Sequence, residues 1–219
     1  MNEFNKYVGQ IFTPEWVVKH IFDTIKYDGN LDKKILEPAA GVGNFVLVII
    51  KRMIMWGRDN NLDDKEILKK INKNLYAVEI DSDNFVNLKK NVQRIIKDEL
   101  DIEIETLENV KSRDSLRIEW DVKFDYIITN PPFTPTRYLP KKTREFIERS
   151  FKFKSDIYQA FYEKHLNDLK ENGLLAYISP SVMKEDEDFM KYLNPYIAWN
   201  YEDNIFTAEI ETTLFVIRR

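Results

Sequence analysis

Cysteine does not occur in the 219 residues of this chain. Its absence excludes disulfides, thiolate metal sites and any mechanism built on a thiol nucleophile. Histidine is nearly as scarce: His20 and His165 lie far apart on predicted helices, and no metal site is expected from them. No apolar run approaches the roughly 20 residues of a membrane span. The start, Met1-Asn2-Glu3-Phe4-Asn5-Lys6, lacks the features of a secretory signal. A soluble, intracellular protein without membrane contact is expected. An excess of basic charge is missing too: the formal net charge is −4. Any electrostatic hold on nucleic acid must therefore be local.

What is present suits one α/β domain with a sizeable core, since the hydrophobic fraction is an ordinary 43%. The apolar run Phe124-Asp125-Tyr126-Ile127-Ile128-Thr129 reads as a buried parallel strand that stops at Asn130-Pro131-Pro132-Phe133. Ligands of open α/β sheets bind at the carboxyl edge, where this loop begins. Two consecutive prolines fix two φ angles and remove two donors, leaving the Asn130 and Pro131 carbonyls, with the Asn130 side-chain oxygen, as a cluster of acceptors. Such a cluster suits a planar amino group, and Phe133 offers a flat face for a ring. The plain alternative is a loop stop with Phe133 as a core anchor.

Thr13-Pro14-Glu15 reads as cap, first position and first-turn acid of a helix from about Pro14 to Tyr27. Ile35-Leu36-Glu37-Pro38-Ala39-Ala40-Gly41-Val42-Gly43-Asn44-Phe45 is a strand, a loop of small residues and the start of a helix. Its glycines let backbone approach a ligand, but the third glycine of a dinucleotide fingerprint and the lysine of a phosphate loop are missing. A short surface helix is predicted around Ile67, Leu68 and Ile71. The strand Leu75–Ile80 carries Glu79 at its tip, placed to take two ribose hydroxyls, with Asp81 as cap of the next helix. Ile102–Leu107 alternates as a third strand, followed by a turn in which Asp114 can accept from an adenine amino group or bond its own backbone. Asp121 and Asp125 read as solvated turn residues.

After the proline loop, Arg137, Lys141, Lys142, Arg144, Arg149, Lys152 and Lys154 face only Glu145 and Glu148, which makes a local basic segment. Ser155 reads as the cap of a helix running to Asn172-Gly173. A fifth strand to Pro180, a helix near Glu185–Leu193, a strand around Tyr196–Tyr201 and a last strand Thr213–Ile217 complete the pattern. Alternation of this kind means a doubly wound, mostly parallel sheet with a late antiparallel hairpin.

Four stretches, Gln10–Pro14, Glu37–Phe45, Val78–Asp81 and Asn130–Phe133, resemble in order the gamma-class S-adenosylmethionine-dependent DNA adenine-N6 methyltransferases of restriction-modification systems. The likeness continues through Lys154–Phe161, the strand ending Ser179-Pro180-Ser181 and Ile205-Phe206-Thr207. It implies a Rossmann-like methyltransferase fold with a seven-stranded sheet, in a single catalytic domain over residues 1–219. Residues 1–30 would form the helix and the segment covering the cofactor, and 31–219 the sheet. It implies S-adenosylmethionine as cofactor and S-adenosylhomocysteine as product. Thr13, Pro14, Glu37, Pro38, Ala39, Gly41 and Gly43 would hold its methionine end, Glu79 its ribose and Asp114 its adenine, beside Asn130. Asn130 and Pro131 would grip the amine, with Phe133 and Phe206 sandwiching an extruded base. An in-line attack on the sulfonium methyl needs no covalent enzyme intermediate, whereas methylation at cytosine carbon-5 in its usual form needs a cysteine.

The basic segment, Arg137, Lys141, Lys142 and Arg144 above all, is expected to face DNA phosphates; a solvated helix face is the other reading. The family's large target-recognition domain has no counterpart here, so a separate recognition subunit or domain is expected. Phe133 stands where tyrosine is commoner, keeping the stack without the hydroxyl. The resemblance also suggests an intracellular enzyme of prokaryotic or viral type. RNA or protein-glutamine amino-methylation, cytosine amino-methylation and an inactive cofactor-binding subunit of a defence complex remain open from sequence.

Overall fold

The computed structural model describes residues 13–201 and 210–219. Helix α1 (Glu15–Thr24) leads into β1 (Ile35–Glu37), followed by α2 (Asn44–Asp59), α3 (Asp64–Asn74), β2 (Leu75–Glu79), α4 (Ser82–Leu100) and β3 (Val110–Ser112). The second half runs β4 (Phe124–Thr129), α5 (Lys141–Ser150), α6 (Ile157–Asp168), β5 (Leu169–Pro180), α7 (Glu187–Leu193), β6 (Ile197–Asn200) and β7 (Thr212–Arg218). Among the described residues the seven strands order as β3-β2-β1-β4-β5-β7-β6. All pairs are parallel through β5, while β7 is antiparallel to both β5 and β6. The predicted doubly wound sheet with a late hairpin is therefore the observed one.

Side chains leave a strand alternately to opposite faces, and the two cores follow that rule. Ile35, Leu75, Ala77, Ile128, Ala176, Ile178, Leu214 and Val216 pack with α1 to α4 on one face. Their neighbours Leu36, Tyr76, Val78, Ile127, Leu175, Tyr177, Phe215 and Ile217 pack with α5 to α7 on the other. Strand order reverses between β1 and β4, so the crevice expected of such sheets opens at the carboxyl ends of those two strands.

Several local expectations are corrected. The third strand forms at Val110–Ser112, registered against Ala77–Glu79, and not at Ile102–Leu107. The alternation of Ile102 and Ile104 comes from a segment that lies half-buried on the first core, tied to α4 where Gln93 Nε2 donates to the Glu105 carbonyl at 2.6 Å. Asp125 is not a solvated turn residue: it lies in β4 and accepts from the Lys34 N–H at 2.8 Å and Lys170 Nζ at 2.7 Å. Burial works upward on its carboxyl, but the Lys170 ammonium and Lys34 N–H hold it below the usual range. The cap of α6 is Asp156 rather than Ser155, with Gln159 Oε1 accepting from the N–H groups of Ser155 and Asp156 at 2.9 and 3.3 Å. This helix stops at Asp168, because Leu169 already pairs with Phe124. Helix α1 ends at Thr24, before Tyr27. The predicted helix around Ile67 and Ile71 is α3, with both side chains buried against the first core.

Candidate active site

Three strand tips converge at the crevice, and each presents a polar side chain inside the protein. Glu37 ends β1 and is wholly buried. Its Oε1 accepts from the Ala39 N–H at 3.1 Å and from the Thr129 hydroxyl on the adjacent strand β4. Its Oε2 is buried with no hydrogen-bond partner among the described residues. Burial pushes the carboxyl up to about 8, with the Thr129 and Ala39 hydrogen bonds pulling it down. An acid left with one oxygen unsatisfied suits an incoming cationic group.

Glu79 ends β2 and is buried. It accepts from the Gly41 N–H at 2.7 Å and the Asp81 N–H at 2.7 Å, so it braces the glycine loop. Burial raises its carboxyl and those backbone donors oppose the rise. A carboxylate has about four lone-pair sites, which leaves room for two hydroxyls. Asp81 is the α4 cap, accepting from Asp83 and Asn84 N–H at 3.0 and 2.8 Å.

The loop between β1 and α2 is pinned where Ala40 N–H donates to Val78 O at 2.9 Å and Asn91 Nδ2 to Val42 O at 2.9 Å. Gly41 has φ +55° and a Cβ there would meet nothing within 4 Å, so backbone faces open space. Gly43 has φ +108°, a region that L side chains avoid, and its Cβ would meet Leu88 Cδ1 at 2.9 Å. One glycine thus keeps space for a ligand and the other makes the turn. Pro38 is buried and Ala39 partly so between them.

Asn130 leaves the end of β4, one residue after the threonine that bonds Glu37. Its Nδ2 donates to the Thr13 hydroxyl oxygen at 3.1 Å. Thr13 is therefore not the α1 cap; Pro14 occupies that position, with its carbonyl accepting from Val17 and Val18 at 3.0 and 3.1 Å. The Thr13 carbonyl in turn accepts from Asn44 Nδ2 at 3.0 Å. Pro131 is buried, and half-buried Phe133 packs against both cores, edge-on to Tyr158 with ring centroids 6.5 Å apart. Beyond it, Thr136 N–H donates to Ser155 O at 2.9 Å and Ile157 N–H to Thr134 O at 3.1 Å, which stitches the loop to the start of α6.

Asp114 lies just past β3, where Arg113 N–H donates to Glu79 O at 3.1 Å. It accepts from Leu116 N–H at 3.1 Å and Arg117 Nε at 3.0 Å, the turn role open to it from sequence. On α5, Lys141 and Arg144 reach Glu145 and Glu148 at 3.8 and 3.9 Å, whereas Lys142 and Arg149 make no ion pair among the described residues. Lys142 and Arg149 line a groove of about 450 Å³ with Arg117, whose guanidinium lies 3.8 Å over the Phe146 ring. Arg137 sits 4.7 Å over the Tyr138 ring. Gln10 to Phe12 and Phe206 fall outside the described residues.

The crevice thus unites Thr13, Glu37, Gly41, Glu79 and Asn130 at one edge. Sequence reading missed the roles of Asn44 and Thr129. Their positions, directly after the glycine turn and directly before Asn130, were the available signal.

Strand order, antiparallel last strand and ligand edge together define the Rossmann-like S-adenosylmethionine-dependent methyltransferase fold. The M protein of the type I restriction enzyme EcoKI superposes with a TM-score of 0.75 at 18% identity, covering 96% of this chain and 44% of that one. The model of the Eco57I restriction-modification methylase family matches residues 44–205, most of the chain, and the chain belongs to that family. Among curated relatives, the type II methyltransferase M.AccI of Acinetobacter calcoaceticus is 27% identical over 230 residues, covering 98% of this chain and 37% of that protein. M.PaeR7I of Pseudomonas aeruginosa is 29% identical over 180 residues, covering 78% and 31%. The chain therefore spans about a third of the length of the relatives it matches.

Proposed function

We propose that this chain is the catalytic fold of an S-adenosylmethionine-dependent DNA methyltransferase of a restriction-modification system, acting on the 6-amino group of adenine. The observation that carries this reading is the bond from Thr129, the residue before Asn130, to buried Glu37 across neighbouring parallel strands. Asn130 thus follows directly on the residue that holds an acid with an unsatisfied oxygen, which supports a site where a planar amine meets a cationic donor.

The fit to the cofactor rests on this chain's own residues. Glu37 Oε2 suits the α-ammonium, the open side of Gly41 admits the methionine end beside Thr13, Pro14, Pro38, Ala39 and Gly43, Glu79 takes ribose hydroxyls and Asp114 the adenine amino group. When held there, S-adenosylmethionine would supply an electrophilic methyl group to the target nitrogen, with S-adenosylhomocysteine and the surplus amine proton as the other products. Asn130 Oδ1 and the Pro131 carbonyl accept the amino hydrogens and turn the nitrogen lone pair toward the methyl. A paired adenine cannot meet a donor in line, so the base is flipped. Phe133 and Phe206 would offset that cost at roughly 1–3 kcal/mol per stacked base.

The test is transfer of labelled methyl from S-adenosylmethionine to unmethylated DNA, ribosomal RNA and a release factor, with mapping of the modified base. Label in DNA as N6-methyladenine is expected. Label confined to RNA or protein, or on cytosine, overturns the substrate; cofactor binding without turnover on any acceptor points to an inactive subunit. Asn130→Ala should cut turnover by roughly 10²–10³-fold or more while cofactor binding persists, in line with loss of a group that acts at the transition state.

A further inference from the structure

The loop between β1 and α2 carries two positive φ angles, +55° at Gly41 and +108° at Gly43, with Val42 between them. Turning over the Val42–Gly43 peptide changes only the ψ of Val42 and the φ of Gly43, and glycine accepts either sign of φ. The sterics of the turn therefore do not fix which way the Val42 carbonyl points. Hydrogen bonds do: Gly43 N–H donates to Ala40 O at 2.9 Å, and Val42 O accepts from Asn91 Nδ2 at 2.9 Å. The second bond comes from another element, the middle of α4. Its direction is unambiguous, because a carbonyl only accepts and Arg94 Nη2, which only donates, meets Asn91 Oδ1 at 3.3 Å. Leu88, earlier on α4, stands against the same turn, with its Cδ1 2.9 Å from where a Gly43 Cβ would lie.

We propose that Asn91 is a positioning residue for the cofactor: it holds the Val42 carbonyl toward α4 and so keeps it from facing the methionine end. The inference rests on the methyltransferase reading above, in which Gly41 and Gly43 border that end, and adds a residue that acts only through the loop. The methionine end carries a carboxylate, and an anion is favoured where backbone N–H groups face it and opposed where a carbonyl does. A Val42 peptide released from Asn91 has only the Gly43–Ala40 bond to stop it turning over. Once turned, its carbonyl leaves α4 and its dipole opposes the ligand carboxylate, while the Gly43 N–H loses Ala40. By holding the carbonyl end of this peptide, Asn91 lets a neighbouring helix set the affinity of the glycine loop for the amino-acid part of the cofactor.

The variants are Asn91→Ala, which removes the donor and suits a helix interior, and Asn91→Asp, which keeps the shape and sets an anionic acceptor against the carbonyl. The probes are S-adenosylhomocysteine and 5′-methylthioadenosine, which shares its ribose and adenine but has no carboxylate. Asn91→Ala is expected to weaken S-adenosylhomocysteine by about three- to tenfold, the scale of one hydrogen bond, and to leave 5′-methylthioadenosine within about twofold of wild type. Asn91→Asp is expected to weaken the first ligand further. In methyl transfer the KM for S-adenosylmethionine should rise in step, with kcat at saturation within about twofold of wild type. Equal weakening of both ligands, or a lower kcat at unchanged KM, would make Asn91 a merely structural residue and overturn the proposal; so would unchanged affinity in both variants. A readout independent of any ligand is hydrogen exchange of the Gly43 amide, which should be slow in wild type and faster in Asn91→Ala. Equal exchange in the two would deny that Asn91 holds this peptide. If wild type binds neither ligand, the methyltransferase reading fails and the cofactor role of Asn91 with it, while the Gly43 exchange still decides what holds the turn.

Discussion

At the scale of single residues, Glu37 makes the sharpest statement about pH. Its carboxyl stands at about 8 in the fold because of burial, against roughly 4.3 in an unfolded chain. Between those values the folded protein holds a proton that the unfolded chain gives up. The stability this group contributes is therefore intact below the unfolded value and is lost as pH rises toward 8. Glu37→Gln copies the neutral form, so without cofactor the variant should melt above wild type at about pH 9 and level with it near pH 4, by thermal scan. A cation beside Oε2 reverses the balance by favouring the carboxylate. Cofactor binding below about pH 8 should then release a proton and tighten as pH rises, which calorimetry in two buffers of different ionisation heat will show; equal heats would deny Glu37 this role. The sequence showed Glu37 at a strand tip. It did not show that Thr129 would take one oxygen and leave the other unsatisfied, because that depends on β4 lying beside β1.

At the scale of elements, α5 divides its charges in a way its sequence does not reveal. Lys141 and Arg144 lie one turn from Glu145 and Glu148 and are partly neutralised along the helix, whereas Lys142 and Arg149 make no ion pair among the described residues and share a groove with Glu145 and with Arg117, which is paired to Asp114. Exposed pairs of that kind are weak, roughly 0.3–0.5 kcal/mol, but they bias where the cations sit. If DNA runs along α5, replacing Lys142 and Arg149 with alanine should flatten the plot of log affinity against log salt by about 0.9 per lost phosphate contact. Replacing Lys141 and Arg144 should change it less. Equal slopes for all these proteins would make α5 a solvated face. Elements were legible where period and punctuation agreed, as at Phe124–Thr129 before its prolines and at α4 behind Asp81. They were misread where periodicity had another cause: Ile102 and Ile104 alternate because one side of a loop rests on the first core, while the true third strand, Val110–Ser112, is too short to show a period.

At the scale of the whole molecule, the strand order defines the methyltransferase fold. This chain covers 37% and 31% of the length of M.AccI and M.PaeR7I. We expect site selection to reside in a further domain or partner subunit, so these 219 residues should bind duplexes of unrelated sequence with affinities within about tenfold, far short of the ~10³ or more of specific readers. Tight binding to one sequence in a competition assay would refute that. The residues alone determined the sheet, its late hairpin and the edge at which ligands gather, because alternation, glycine turns and paired prolines act over a few neighbours. Tertiary structure alone decided that Thr13 faces Asn130 rather than capping α1, that Asn44 anchors Thr13, and that Glu37 is left half satisfied. Those contacts join residues 31 to 117 positions apart, and only the order in which the strands assemble brings them within bonding distance.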